Sequence, residues 1–131
     1  MILLGNCYSI PFMVSTAVYE GFIATFNDKN PLHTDEDFAI SKGFKGKVMH
    51  GNILNGFLSY FIGECLPVKN CIIHSQTIKF SHPVFLNDEL VLNAEVTEVY
   101  ESVNAYVFKF YFQNSDGKKV AKGDIRIGLL L

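Results

Sequence analysis

The sequence predicts an α+β fold in which one curved antiparallel sheet wraps a single long central helix. Three observations lead there. The run from Gly51 to Cys65 is apolar nearly all round, which a helix shows when it is buried on every side. After Pro67 the chain turns β-branched and aromatic in four partly alternating stretches, which predicts a meander of four long strands. No repeat, low-complexity tract or linker interrupts residues 1–131, so the chain reads as a single domain. One apolar helix beside one large sheet buries both best when the sheet curls around the helix.

The elements follow in order. Residues 2–14 are mostly apolar and read as an opening strand. Thr16 is placed to cap a helix on which Tyr19, Phe22, Ile23 and Phe26 recur at helical spacing, ending near Asn27–Asp28. Thr34 is placed to cap the next turn, Asp35-Glu36-Asp37 suits a helix N-terminus, and Phe38, Ala39 and Ile40 supply its apolar side. Gly43 and Gly46 frame a loop before the long helix, which Pro67 stops. The four strands are CIIHSQTIKFSHPVF, ELVLNAEVTEVY, NAYVFKFYFQN and KVAKGDIRIGLLL. Turn residues separate them at Asn87-Asp88, Glu101-Ser102 and Ser115-Asp116-Gly117.

Composition narrows the function. With 49% hydrophobic and 18% charged residues the chain is globular rather than disordered. A net charge of -2 and the lack of any basic cluster exclude a nucleic-acid footprint. No apolar run reaches the roughly 18 to 20 residues of a membrane span, and the apolar N-terminus lacks a basic flank, so no membrane association is expected. The 3 cysteines, Cys7, Cys65 and Cys71, are scattered without metal-ligand or disulfide spacing. They read as small buried hydrophobes in a reducing, cytoplasmic setting, and no metal site is expected.

The segment Asp28-Lys29-Asn30-Pro31-Leu32-His33 carries the chemistry. Pro31 fixes its own φ and biases Asn30 to an extended conformation, so the segment is stiff. A carboxylate and an imidazole converging across it make a general acid/base pair able to deprotonate a water. The same hexapeptide also reads as a plain turn, with Asp28 closing the preceding helix. Further on, His50-Gly51-Asn52 opens the long helix, where free N–H groups and the positive end of the dipole favour a ligand oxygen. Gly51 there permits close approach of that oxygen, and such donors stabilise a carbonyl gaining negative charge; Gly51 also reads as a tight entrance to the helix. Asn52, Asn55 and Ser59 form a polar stripe along the helix at i, i+3 and i+7. Buried amides and hydroxyls need partners, so the stripe either lines a ligand cavity or meets polar groups of another strand or subunit. His74 and His82 fall in strand segments and read as structural or exposed, and His50 as a packing residue at the helix entrance. GFKGK lacks the spacing of a phosphate loop.

The run from Phe22 to Pro67 resembles the hydratase-2 motif of MaoC-like, hot-dog-fold (R)-specific enoyl-CoA hydratases. The family pattern D-x-N-P-[LI]-H-x-D is met by Asp28, Asn30, Pro31, Leu32, His33 and Asp35; Phe38-Ala39 and His50-Gly51 follow in order. IKFSHPVFLNDEL is similar to the family's F-x-x-P-V-x-x-x-D segment, so the likeness covers most of the chain. It implies that Asp28 and His33 activate one water, that the Gly51 N–H polarises the thioester carbonyl, and that Asn30 orients the loop. It also implies that Ser59 lies near the dyad. The reaction implied is reversible hydration of a trans-2-enoyl thioester to a (3R)-hydroxyacyl thioester. Coenzyme A or an acyl-carrier protein enters as part of the substrate, with no resident cofactor. The resemblance implies a homodimer or larger assembly, with the pantetheine arm entering between protomers. Asn27, Asn52 and Asn87 depart from the pattern, standing where the family has a small residue, an apolar residue and a glycine. The Asn52/Asn55 stripe suggests an acyl group more polar than a plain fatty chain. A hot-dog thioesterase is the alternative, but it needs a carboxylate part-way along the helix, where only the terminal Glu64 is found. A non-catalytic thioester-binding domain is the other, and it has no use for both Asp28 and His33.

Overall fold

The computed structural model describes residues 1–131. Five strands form one antiparallel sheet: β1 (Cys7–Met13), β2 (Cys71–Phe80), β3 (Glu89–Tyr100), β4 (Ala105–Asn114) and β5 (Lys119–Leu129), in the order β1-β3-β4-β5-β2. The helices α1 (Thr16–Phe26), α2 (Pro31–Thr34), α3 (Glu36–Ser41) and α4 (Asn52–Tyr60) all fall between β1 and β2.

The α+β class with one helix against one sheet holds, while the expected four-strand meander does not. Only β3, β4 and β5 run as a meander. β2 pairs with β5 at the far edge, so the chain must cross the sheet before starting β3. Hydrophobic alternation cannot tell neighbours in sequence from neighbours in space. The crossover segment matters: Val48 bridges Phe85, and the Met49 N–H donates to the Val84 carbonyl at 2.8 Å, pinning the entrance of α4. Register shifts in β2, β3 and β5 mark bulges, the usual device for bending a sheet around a helix.

The core lies between α4 and the concave face of the sheet. Ile53, Leu54 and Leu58 from α4, with Phe61 and Ile62 just beyond, meet Leu92, Ala94 and Val96 of β3 and Phe108, Phe110 and Phe112 of β4. Phe61 sits edge-on to Phe108 at 5.7 Å and 88°, a preferred aromatic geometry. Burying each such side chain stabilises the fold by roughly 1.5–3 kcal/mol.

Several local expectations are corrected. The opening strand is shorter than 2–14 because a turn at Leu4–Gly5, with Gly5 at φ 84°, precedes it. Ser15, not Thr16, caps α1, its Oγ accepting from the Val18 N–H; Asp35, not Thr34, caps α3, accepting from the Phe38 N–H. Each cap is one residue off expectation, because the cap is the residue whose extended φ and ψ aim its side chain at the N–H three positions on. The long helix stays α-helical only to Tyr60, and Phe61–Cys65 widens into a π-helical turn before Leu66 turns extended. Nor is α4 buried on every side: Asn52, Gly56, Ser59 and Tyr60 are exposed.

Candidate active site

Helix α1 ends at Asn27, which takes the left-handed conformation (φ 59°) and returns its N–H to the Ile23 carbonyl. Asp28 follows. Its Oδ1 accepts from the Asn30 N–H at 3.2 Å, and Asn30 Oδ1 in turn caps α2 by accepting from the Leu32 N–H at 3.0 Å. Pro31 fills the first helical position, where no N–H is needed. The single turn of α2 then swings His33 back toward Asp28. Thr34 Oγ1 closes the loop by donating to the carbonyls of Lys29 or Asn30, and the Tyr19 hydroxyl donates to the His33 carbonyl at 2.6 Å.

The pair expected from the sequence is thereby brought together. Asp28 Oδ2 and His33 Nε2 lie 3.9 Å apart. That exceeds a direct hydrogen bond but suits one water between them, about 2.8 Å from each. The opposite ring nitrogen, His33 Nδ1, lies 2.7 Å from the Val48 carbonyl oxygen. A carbonyl only accepts, so Nδ1 carries the hydrogen and Nε2 presents a lone pair toward Asp28. The Asp28 side chain is half exposed and that of His33 mostly covered, which leaves the gap reachable from outside.

Gly51 is the N-cap of α4 and makes no side-chain cap. Neither its N–H nor that of Asn52 bonds to any carbonyl or side chain of the protein, whereas Ile53 and Leu54 already donate to His50 and Gly51. Two free donors at the positive end of a helix therefore sit beside the dyad. The Gly51 Cα is packed under the Phe80 ring, where a Cβ would meet Cε1 at 3.0 Å.

Two cavities flank this point. One of about 440 Å³ is lined by His33, Gly51, Phe44, Phe80 and His82; the other, about 740 Å³, by Asp28, Phe22, Phe26, Asn55 and Phe57. Asn52 and Ile53 line both. His33 thus borders one cavity and Asp28 the other, with Asn52 and Ile53 common to both.

Residues 9–109 of this chain match the family profile described as "MaoC like domain". The chain belongs to the MaoC-like family. It is 39% identical over 80 residues to an (R)-specific enoyl-CoA hydratase of Aeromonas caviae and 32% identical over 93 residues to one of Rhodospirillum rubrum. Those stretches cover 61% and 71% of this chain, and 60% and 65% of the two relatives, under two thirds of either. Among solved structures, the (R)-hydratase of A. caviae superimposes with a TM-score of 0.90 at 28% identity, covering 98% of both chains. An R-hydratase from Pseudomonas aeruginosa gives 0.88 at 28% identity, covering 98% of this chain and 82% of that one. The fold of this MaoC-like chain is the hot-dog fold.

Within this MaoC-like chain the other expected site residues divide. Asn30 holds the loop rather than facing a cavity. Asn55 Nδ2 donates to Asn52 Oδ1 at 2.8 Å and Asn55 Oδ1 accepts from Gln76, so the helix stripe satisfies part of its polarity within itself and on β2. Ser59 is exposed and lines neither cavity. Glu64 pairs with Lys69 at 3.3 Å beyond the end of α4, away from the dyad. His74 packs its ring against Gly128, a structural place for it. His82 lies past the end of β2, in the crossover, and lines the smaller cavity; β2 stops at Phe80, before Pro83, and not at Phe85 as the sequence pattern predicts.

The residues that sequence reasoning missed enter through their backbones or by packing. Val48 contributes only a carbonyl, which no sequence pattern marks. His50 stacks on His33 with 4.0 Å between ring centroids and 30° between planes, and its Nε2 lies 2.8 Å from the Asp28 carbonyl oxygen. Its place directly before Gly51 was the available signal.

Proposed function

We propose that this chain is a hydro-lyase acting on acyl thioesters, adding water across a trans-2-enoyl double bond to give a (3R)-hydroxyacyl thioester and reversing that step. The observation that carries the reading is the one-water gap between Asp28 Oδ2 and His33 Nε2, with His33 Nδ1 committed to Val48. Water in that gap has two acceptors, so both its hydrogens are engaged and its oxygen lone pair points at the substrate. As that oxygen bonds to the β-carbon, one water proton passes to the dyad. The π electrons move toward the thioester oxygen, where the free N–H groups of Gly51 and Asn52 meet the developing charge. The dyad then delivers its proton to the α-carbon, completing addition of H and OH.

Both cavities support a thioester as substrate, since one can take the acyl chain and the other the pantetheine arm, with coenzyme A or an acyl-carrier protein beyond it. The substrate-binding roles proposed for Gly51, Asn52 and Asn55 rest on their places at these cavities, Asn30 acts by holding the loop, and Ser59 contacts a ligand only in a closed or assembled form. The Asn52/Asn55 amides favour acyl groups bearing an oxygen over plain chains. Asp28, His33 and His50 place one ligand atom each within 4.8 Å of one another, but stacked rings send their lone pairs along neighbouring planes instead of to one point. We therefore read the trio as proton chemistry, with no metal.

We also propose a homodimer: Ile72 and Ile73 are exposed on β2, an edge strand with a free side, as Tyr60 is on α4. No helix is long and apolar enough to cross a membrane. The cysteines are all unpaired, in keeping with a cytoplasmic place.

The experiment is the loss of absorbance of trans-2-enoyl thioesters, comparing crotonyl with oxygenated acyl chains, for the native chain, Asp28→Asn and His33→Ala. Native turnover well above both variants supports the reading. A native rate no higher than theirs on every thioester leaves a binding domain instead.

A further inference from the structure

His50 is the one buried polar side chain, 3% exposed, and it touches both members of the dyad by different means. Its Nε2 meets the main-chain oxygen of Asp28, while its face lies against the ring of His33. Phe22 packs on the same imidazole at 4.6 Å, and Tyr19, whose hydroxyl holds the His33 carbonyl, lies 6.0 Å from it. His50 Nδ1 is the only buried side-chain nitrogen or oxygen without a partner.

These contacts settle the tautomers. The Asp28 carbonyl accepts only, so His50 carries its hydrogen on Nε2 and keeps a buried lone pair on Nδ1. His33 takes the opposite form, with its hydrogen on Nδ1. A phenyl ring would fill the same space without burying an unpaired acceptor, so packing alone does not account for an imidazole here. What the imidazole adds is a donor aimed at the peptide of the catalytic carboxylate.

Resting on the hydratase reading above, we propose that His50 is a positioning residue that sets the gap between Asp28 and His33. The Nε2–H moors the Asp28 main chain, and the ring face backs His33 so that its Nε2 keeps facing the carboxylate. His50 touches neither water nor substrate, and the proton path does not pass through it. Its effect falls on geometry: a displacement of about 1 Å at a reacting pair costs up to a hundredfold in rate.

The test uses the full chain and two variants. His50→Phe keeps a ring against His33 and removes the donor; His50→Gln keeps a donor and removes the ring. Turnover of crotonyl thioester is expected to show kcat down roughly ten- to a hundredfold in each, with KM within about twofold, in proteins that melt cooperatively. In the native chain, nitrogen-15 NMR of the imidazoles is expected to show hydrogen on Nδ1 of His33 and on Nε2 of His50. In the variants His33 keeps its hydrogen on Nδ1, held by the Val48 carbonyl, so the lost kcat traces to the displaced Asp28 main chain rather than to a changed tautomer. Unchanged kcat in either folded variant overturns the proposal, as does a native His50 with its hydrogen on Nδ1. Should His50→Phe not fold, His50→Gln and the native spectrum decide. A native chain that hydrates no thioester yet shows these tautomers overturns the hydratase reading and leaves the mooring of Asp28 supported.

Discussion

The two sides of the site are held by opposite means. The Asp28–His33 loop takes its shape from contacts within a few residues: the Asn30 N–H on Asp28, the Asn30 cap on Leu32, and Thr34 on Lys29. Tyr19, Val48 and His50 then fasten it to the rest of the fold. The mouth of α4 is held from far along the chain, by Val84 on Met49, Phe85 against Val48 and the Phe80 ring on Gly51. The local side depends on its own turn chemistry. The distant side depends on the crossover between β2 and β3 being in place, so its geometry exists only in the folded protein.

Changing each side in turn tests this contrast. The largest effect is expected at the proposed dyad: His33→Ala and Asp28→Asn should each lower kcat/KM by about 10²–10⁴. Thermal melts should be little changed, since Asp28 is half exposed and neither side chain belongs to the core. Asn30→Ala removes the side-chain cap of α2, the turn that carries His33, while the main-chain N–H on Asp28 remains. It should lower kcat about tenfold and cost ~1 kcal/mol in denaturant melts; an unaltered kcat would show that the loop does not rely on local bonds.

On the distant side, Gly51→Ala places a methyl 3.0 Å from Cε1 of Phe80, a ring 48% exposed and free to swing. KM should rise roughly threefold with little loss of stability, because the ring gives way into the cavity. Asn27→Ala should cost ~1 kcal/mol and Asn27→Gly less than ~0.5, because the position is left-handed; equal costs would remove the conformational explanation. The smallest effect concerns thiols outside the site. Desolvation pushes Cys65 and Cys71 up, outweighing the opposite pull of Lys69, so fewer thiolates form at a given pH. Mass spectrometry should find exposed Cys7 alkylated first near about pH 7, with Cys65 and Cys71 catching up as pH rises.

The legibility of the sequence follows the same division. Asp28 and His33 were readable because Asn30 and Pro31 act over one turn and leave a motif. Asn27 and Asn87, which depart from the family pattern, both take left-handed φ, 59° and 68°. Asparagine is the residue that best replaces glycine in that region. The stripe Asn52–Asn55 was visible, whereas its partner Gln76 on β2 was not, because nothing local ties a helix to an edge strand. The neighbours of His50 in sequence point to packing at the helix entrance and say nothing of the His33 ring against it.

By itself the sequence determined the class of the fold, the single apolar helix, the strand content and the carboxylate–imidazole turn, all of which follow from propensity and bonds spanning a few residues. Only the tertiary structure decided that β2 crosses to the far edge, that the Val48 carbonyl selects the tautomer of His33, and that His50 links the two halves of the dyad. Those are backbone and ring contacts between distant segments. The free energy that forms them comes from burying α4 against the sheet, so no stretch of chain shows them until the core has closed.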